Sequence, residues 1–261
     1  MKDYTLITGA SGGIGLELSH LFAKDGYNLV LVARSGDKLD ALSKELTDEH
    51  KIHVKVISED LSKPSSAKEI YERVREQSLP VTVLINNAGF GSAGMFADTD
   101  IKNEIDMIQV NVLSLIELTK LFLHDMMERK NGKILNVAST AAFAPGPLMS
   151  VYYASKAFVL SFSGALSDEL KGTGISVTAL CPGPTGTGFQ ERSHVETTRL
   201  FAFNVMDAKT VASIGYRGLM KGKTIVIPGI MNKMLIGSMR ISPRKLVVKI
   251  IRWLQENRKP A

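Results

Sequence analysis

Tyr152, Tyr153 and Lys156 lie close together in this chain of 261 residues. A phenol with an ordinary pKa of ~10 is a moderate acid and a poor base at neutral pH, so proton transfer through it calls for a nearby cation. On a helix, a spacing of four puts Tyr152 one turn from Lys156 on the same face, while a spacing of three leaves Tyr153 as a rival. Near the start of the chain, Gly9-Ala10-Ser11-Gly12-Gly13-Ile14-Gly15 follows an apolar run and precedes Leu16, Leu18, Leu21 and Phe22 at helical spacing. Glycines in such a turn let the backbone approach a pyrophosphate, and the first N–H groups of the following helix offer it partial positive charge. The next apolar run ends Val32-Ala33-Arg34, where an acidic residue would bind the ribose hydroxyls of NAD. A guanidinium there pairs instead with a 2′-phosphate and stacks on adenine, which favours NADP.

These residues need a scaffold, and the apolar pattern supplies one. YTLIT (from Tyr4), NLVLVA (from Asn28), HVKVI (from His53), TVLIN (from Thr82), KILNVA (from Lys133), ISVTAL (from Ile175) and TIVI (from Thr224) read as about seven strands. Most are almost continuously apolar, as strands covered on both faces must be, and helical segments separate them by crossover distances. The expected fold is α/β, a Rossmann-like, doubly wound parallel sheet in a single domain with helices on both faces. Ile105, Ile108, Val112, Leu115, Ile116, Thr119, Leu123 and Met127 predict one helix over 101–129, and a second is predicted over 150–171. No linker divides the chain. Residues 1–228 are read as the catalytic domain, and 229–261 as a helical C-terminal extension of it.

Together these features resemble the short-chain dehydrogenase/reductase family, in its short single-domain branch. The resemblance spans about residues 4–227 and rests on ordered motifs: TGASGGIG from Thr8, Asp60-Leu61 after the third strand, NNAG from Asn86, Ser139 followed by Tyr152-x-x-x-Lys156, and Pro182-Gly183 leading to Thr187. It selects Tyr152 over Tyr153 as the proton donor to a substrate carbonyl, with NADP(H) as the hydride carrier. It implies that Lys156 also holds the nicotinamide ribose and that Ser139 hydrogen-bonds the carbonyl oxygen. Asn111 matches the family Asn that anchors a proton-relay water through a local distortion of its helix. Gly9, Ser11, Gly12, Gly13, Ile14 and Gly15 are implied as the pyrophosphate loop. Asp60 and Leu61 fall at the adenine, Asn87, Ala88 and Gly89 at its ribose, and Pro182, Gly183 and Thr187 at the nicotinamide. A catalytically idle NADP-binding sensor of the same fold is the alternative, although such a protein would be expected to lose part of the set Asn111, Ser139, Tyr152 and Lys156.

Motif position also places Phe90, Phe143, Pro145, Leu148, Met149 and Phe189 near the nicotinamide. Leu200, Phe201, Phe203 and Met206 follow as a lid. An apolar set of this kind predicts an apolar carbonyl substrate such as a ketone, an aldehyde or a 3-oxoacyl derivative. Arg192 and Arg199 in the same loop fit an acidic head group.

Composition closes off other classes. With 44% hydrophobic and 22% charged residues the chain is neither disordered nor a coiled coil. Its one cysteine, Cys181, reads as a buried apolar side chain, and the five histidines show no ligand spacing, so no metal site is expected. His194 reads as a solvated loop residue. Signal peptide and membrane span are expected to be absent, which places the chain in the cytoplasm, and a homodimer or homotetramer is expected. The net charge of +6 is concentrated from Lys221 onward, where ten basic residues face one acidic residue, Glu256. The body lacks the basic, aromatic-studded face of a nucleic-acid protein, so none is expected as a partner. In the tail, Ser242-Pro243 reads as the N-cap and first position of a basic amphipathic helix. That helix packs on the domain or a subunit, or makes peripheral contact with an anionic membrane.

Overall fold

A computed structural model describes residues 3–193, 195–202 and 205–256. Its strands are β1 (Tyr4–Thr8), β2 (Asn28–Ala33), β3 (Val54–Ser58), β4 (Val81–Asn86), β5 (Gly132–Val137), β6 (Ile175–Leu180), β7 (Thr185–Gly186), β8 (Met206–Asp207) and β9 (Ile225–Val226). The helices are α1 (Gly13–Lys24), α2 (Gly36–His50), α3 (Ser66–Glu76), α4 (Ile101–Ile108), α5 (Ser114–Arg129), α6 (Ser150–Glu169), α7 (Phe189–Ser193), α8 (Ala208–Met220), α9 (Ile230–Ile241) and α10 (Arg244–Gln255).

Seven of the strands form one parallel sheet in the order β3-β2-β1-β4-β5-β6-β9. Alternation of side chains across the strands feeds two cores. Ile7, Leu29, Leu31, Val83 and Ile85 face α1, α2 and α8, whereas Leu6, Val30, Val32 and Leu84 face α3, α5 and α6. Phe22 and Phe122 are the largest fully buried side chains, one in each layer. Such a side chain stabilises by ~1.5–3 kcal/mol relative to exposure. The strand order reverses between β1 and β4, and in such sheets the crevice at that point, outside the carboxyl ends of the strands, is where ligands bind.

The single helix predicted over 101–129 is two helices separated by a π-helical turn, Gln109–Leu113. The apolar spacing runs through this turn without a break, and the cause lies elsewhere in the fold. Asn111, in the middle of the turn, accepts from Phe90 N at 3.1 Å and donates to Phe90 O at 3.0 Å and Ser155 Oγ at 3.1 Å. One extra residue in the turn aims that amide at the end of β4.

The tail holds two helices. Pro243 occupies the N-cap position of α10, one residue later than expected, and Ser242 Oγ donates to Ser238 O at 2.8 Å, closing the end of α9 instead. Val247 and Ile251 of α10 pack with Met149, Tyr153 and Val195 in a core of their own. Between β6 and α8, the two-stranded pair β7–β8 ties the base of the segment 187–205. Among the described residues, no helix is long and apolar enough to cross a membrane.

Candidate active site

The glycine turn joins β1 to α1 with Gly9 and Gly13 at φ +66° and +55°, a region that strains other side chains. A Cβ on Gly15 would meet Gly9 O at 2.3 Å, so this glycine serves the close packing of helix and turn. A Cβ on Gly12 would meet nothing within 4 Å, because Gly12 faces the open crevice. The NNAG segment locks against the turn: Asn87 Nδ2 donates to Thr8 O at 2.9 Å and Gly9 O at 3.2 Å, and Thr8 Oγ1 accepts from Asn87 N and Ala88 N at 3.0 Å each. Thr187 comes from the far end of the domain to lie against Gly13, where an added Cβ would meet its Cγ2 at 2.9 Å.

One cavity of about 350 Å³ runs from this turn to the C-terminal helices. Gly9, Ser11, Gly12, Gly13, Ile14, Asn87, Ala88, Gly89, Ser139, Tyr152, Lys156, Pro182, Gly183 and Thr187 all line it. The open backbone cradle at Gly12 and the start of α1 suit a pyrophosphate, so the residues present fit a dinucleotide. Arg34 is exposed just past β2, and Ala10 N donates to Val32 O at 3.3 Å, which holds the glycine turn against that strand end. Burial pushes the Asp60 carboxyl up, but hydrogen bonds from Ser62 N and Oγ at 3.0 Å, with the charges of Arg34 and Lys63, leave it net below its ordinary value. Gly15, Arg34, Asp60, Leu61 and Asn111 stand off the cavity wall. Gly15 packs, Leu61 is core, and Asn111 spends its amide on Phe90 and Ser155.

At the centre, Ser139 follows β5, and its Oγ accepts from Ala141 N at 3.1 Å and donates to Pro182 O at 3.4 Å while standing near enough to the Tyr152 hydroxyl to act on it. Burial raises the Tyr152 phenol well above its ordinary value, the nearby Ser139 hydroxyl opposes this, and Tyr153 adds to it. The phenol therefore stays protonated at neutral pH. Lys156, inside α6, donates to Val137 O at 2.8 Å, and its Nζ lies 5.9 Å from the Tyr152 ring centroid. Burial pushes its ammonium down to about 8, opposed by Cys181. Tyr153 lines the same cavity, but its hydroxyl accepts from Gln255 Nε2 of α10 at 2.6 Å, which separates the two tyrosines that spacing alone leaves open. Cys181 is fully buried, and burial pushes its thiol up to about 12, as suits an inert side chain.

Because Lys156 loses its proton near pH 8 in the free protein, kcat/KM for NADPH is expected to fall as pH rises through about 8, where the neutral amine replaces the ammonium. Initial rates from about pH 6 to about pH 10 check this, and a flat profile would show that the charge is not needed.

Of the apolar residues expected at the nicotinamide, Phe90, Met149 and Phe189 line the cavity, as do Leu200 and Phe201 of the lid. Phe143, Pro145 and Leu148 do not, and this corrects the expectation. The 3₁₀ turn Thr140–Phe143 turns Phe143 into a cluster with Leu115, Val159 and Cys181, Pro145 is exposed, and Leu148 takes φ +68° with its carbonyl accepting from Gly94 N at 2.8 Å. Met206 packs under the sheet instead of into the lid. Phe203 and His194 lie outside the described residues. Arg192 stacks 3.9 Å over the Phe90 ring at the cavity wall. Arg199 is spent on structure, donating to Trp253 O at 2.8 Å and Glu256 Oε2 at 3.0 Å.

The cavity also has walls that the motifs do not mark, namely Leu235 and Met239 of α9 and Ile251, Leu254 and Gln255 of α10. Their signal in the sequence is the amphipathic stripe of the tail, which shows that a face is buried without showing against what. Elsewhere, potential ligand atoms of His124, Asp125 and Glu128 come within 4.8 Å of one another. Asp125 there already accepts from Tyr71 and Arg75 at 3.1 Å each, so the group is an ion-pair cluster.

A parallel α/β sheet with a glycine turn at its switch point and a Ser–Tyr–Lys group facing that turn defines an oxidoreductase of the dinucleotide-binding class. The chain belongs to the short-chain dehydrogenase family, whose profile, "short chain dehydrogenase", matches residues 3–197. It is 38% identical over 185 residues to a very-long-chain 3-oxoacyl-CoA reductase of Anas platyrhynchos, a match covering 69% of this chain and 58% of that one. It is 37% identical over 189 residues to the human 17-beta-hydroxysteroid dehydrogenase type 3, covering 70% of this chain and 59% of that protein. The chain thus spans less than two thirds of the length of these relatives. Among solved structures, a short-chain dehydrogenase from Sphingobium yanoikuyae in complex with NADPH superposes with a TM-score of 0.82 at 32% identity, over 93% of this chain and 97% of that one. The bulky-bulky ketone specific alcohol dehydrogenase from Comamonas testosteroni does so with a TM-score of 0.77 at 30% identity, over 93% of this chain and 95% of that one.

Proposed function

We propose that this chain is an NADP(H)-dependent reductase that converts a ketone on a bulky, predominantly apolar molecule, such as a 3-oxoacyl thioester or a steroid-like ketone, to the secondary alcohol. Bound at the glycine turn, NADPH supplies the hydride for the carbonyl carbon. Tyr152 gives its hydroxyl proton to the carbonyl oxygen, and Ser139 hydrogen-bonds that oxygen as negative charge develops on it. The Lys156 ammonium favours the phenolate left behind. Burial keeps Tyr152 protonated beforehand, the state that reduction requires.

The observation that carries the substrate class is the wall beyond Tyr152, made of Met149, Phe189, Phe201, Met239, Ile251 and Leu254. A sugar or polyol there would leave hydroxyls unpaired at ~1–3 kcal/mol each. The names of the relatives, a 3-oxoacyl-CoA reductase and a hydroxysteroid dehydrogenase, agree with this chemistry. Catalytic efficiency is expected to rise with chain length in a ketone or 3-oxoacyl series, by up to about fifteenfold for every two methylenes buried, at ~0.8 kcal/mol each. A flat series, or a sugar as best substrate, would overturn it. An idle NADP-binding sensor would have no use for Ser139, Tyr152 and a buried Lys156 brought together on one cavity wall. In this reading the protein works in the cytoplasm as a homo-oligomer, for which exposed Leu113 and the stacked pair Phe158–Phe162 offer apolar surface.

A further inference from the structure

The outer side of α9 is built the wrong way round for water, and α10 carries an exposed apolar stripe beside its basic one. In α9, Asn232 and Ile236 point inward, and the side opposite them carries Ile230, Met234 and Ile241, which are 78%, 65% and 88% exposed. An amphipathic helix on a protein in water turns its charges outward, and this one turns out its apolar side chains. In α10, Val247 and Ile251 are buried, while Leu246, Ile250 and Trp253 form an exposed stripe at a spacing of four and three. Lys245, Lys249 and Arg252 repeat the same spacing one residue earlier, so a basic stripe runs beside the apolar one, rotated by about 100°.

The inner faces of the same helices line the substrate cavity through Leu235, Met239, Ile251 and Leu254. Leu235 belongs to both surfaces, since it lines the cavity and is still 37% exposed.

We propose that α9 and α10 form a docking face for an anionic lipid bilayer, lying in its interface without spanning it, and that apolar substrate passes from the bilayer to the cavity beside Leu235. Charge decides between this occupant and a second copy of the chain. A second copy would bring the same surplus of lysine and arginine to the contact, whereas anionic head groups neutralise Lys245 and Lys249 while the apolar side chains enter the acyl boundary. Trp253, the single tryptophan of the chain and 52% exposed, sits where an interfacial anchor belongs. The docking is independent of the reductase reading; only the passage of substrate rests on it.

The full chain, without substrate, is floated with vesicles of phosphatidylcholine alone or with about 30% phosphatidylserine, at low salt and at about 0.5 M NaCl. It is expected to float with the anionic vesicles at low salt, to be largely released by the salt, and to show a blue shift of Trp253 emission on binding. M234D/I241D is expected to lower partitioning at least tenfold while oxidation of NADPH with a short, soluble ketone stays as in the wild type. K245E/K249E, which leaves the apolar stripe intact, is expected to lose the preference for anionic vesicles. A chain that stays soluble beside anionic vesicles at low salt overturns the proposal. So does a wild type that ignores vesicles while M234D/I241D sediments as a smaller species, which gives the face to a second copy. Loss of ketone reduction with flotation intact would count against the reductase reading alone.

Discussion

Tyr152→Phe is expected to leave NADPH affinity within about twofold of the wild type and to lower turnover by ~10²–10⁴, the usual worth of a positioned proton donor. The ring stays in place against Phe189, whose centroid lies 5.3 Å away, and only the hydroxyl near Ser139 is lost. Tyr153→Phe is the matched control. It removes the acceptor of Gln255 Nε2 but no group facing Ser139, so turnover is expected to hold within a few-fold while thermal stability drops. The drop should correspond to about 1–3 kcal/mol, because the buried amide of Gln255 is left unpaired. Stopped-flow oxidation of NADPH with a saturating ketone separates the two variants. Retention of more than about a tenth of wild-type turnover by Tyr152→Phe would place the proton donor elsewhere.

How much of this could be read from the sequence depends on whether a feature is local. The strand set, the glycine turn and the Tyr152–Lys156 spacing are local patterns, and the sheet and the Ser139–Tyr152–Lys156 group follow them closely. The π-helical turn at Gln109–Leu113 is not local, since its cause is the Phe90 backbone some twenty residues away, and the apolar spacing crosses it unbroken. Nearness to a motif also proves a weak guide to nearness in space. Phe143, Pro145 and Leu148 sit between Ser139 and Tyr152 in the chain, yet a 3₁₀ turn and one positive φ carry them off the cavity. The place they were expected to fill is taken by Met239, Ile251 and Leu254, from a part of the chain that no motif reaches.

Arg34→Asp is expected to reverse cofactor choice, lowering kcat/KM for NADPH and raising that for NADH until the ratio changes by ~10²–10³. A charge-assisted hydrogen bond to the 2′-phosphate is worth ~1.5–3 kcal/mol, and a carboxylate in its place repels that phosphate while accepting the ribose hydroxyls. The position suits this role. Arg34 follows the last residue of β2, its carbonyl accepts from Ser58 Oγ at 3.1 Å, and its exposed side chain stands near enough to Asp60 and Arg192 to act on both charges. Arg34, Lys63 and Arg192 thus all act on the Asp60 carboxylate on this side of the crevice, a balance of charge that favours a phosphate bearing about two negative charges. Because Arg192 stays in place, the variant should retain some NADPH use, and Arg34→Asp with Arg192→Gln should lose it further. The ratio of kcat/KM values for the two cofactors, measured at fixed ionic strength, checks the order of the three proteins. Equal use of NADH and NADPH by the wild type, or an unchanged ratio in Arg34→Asp, would remove Arg34 from cofactor selection.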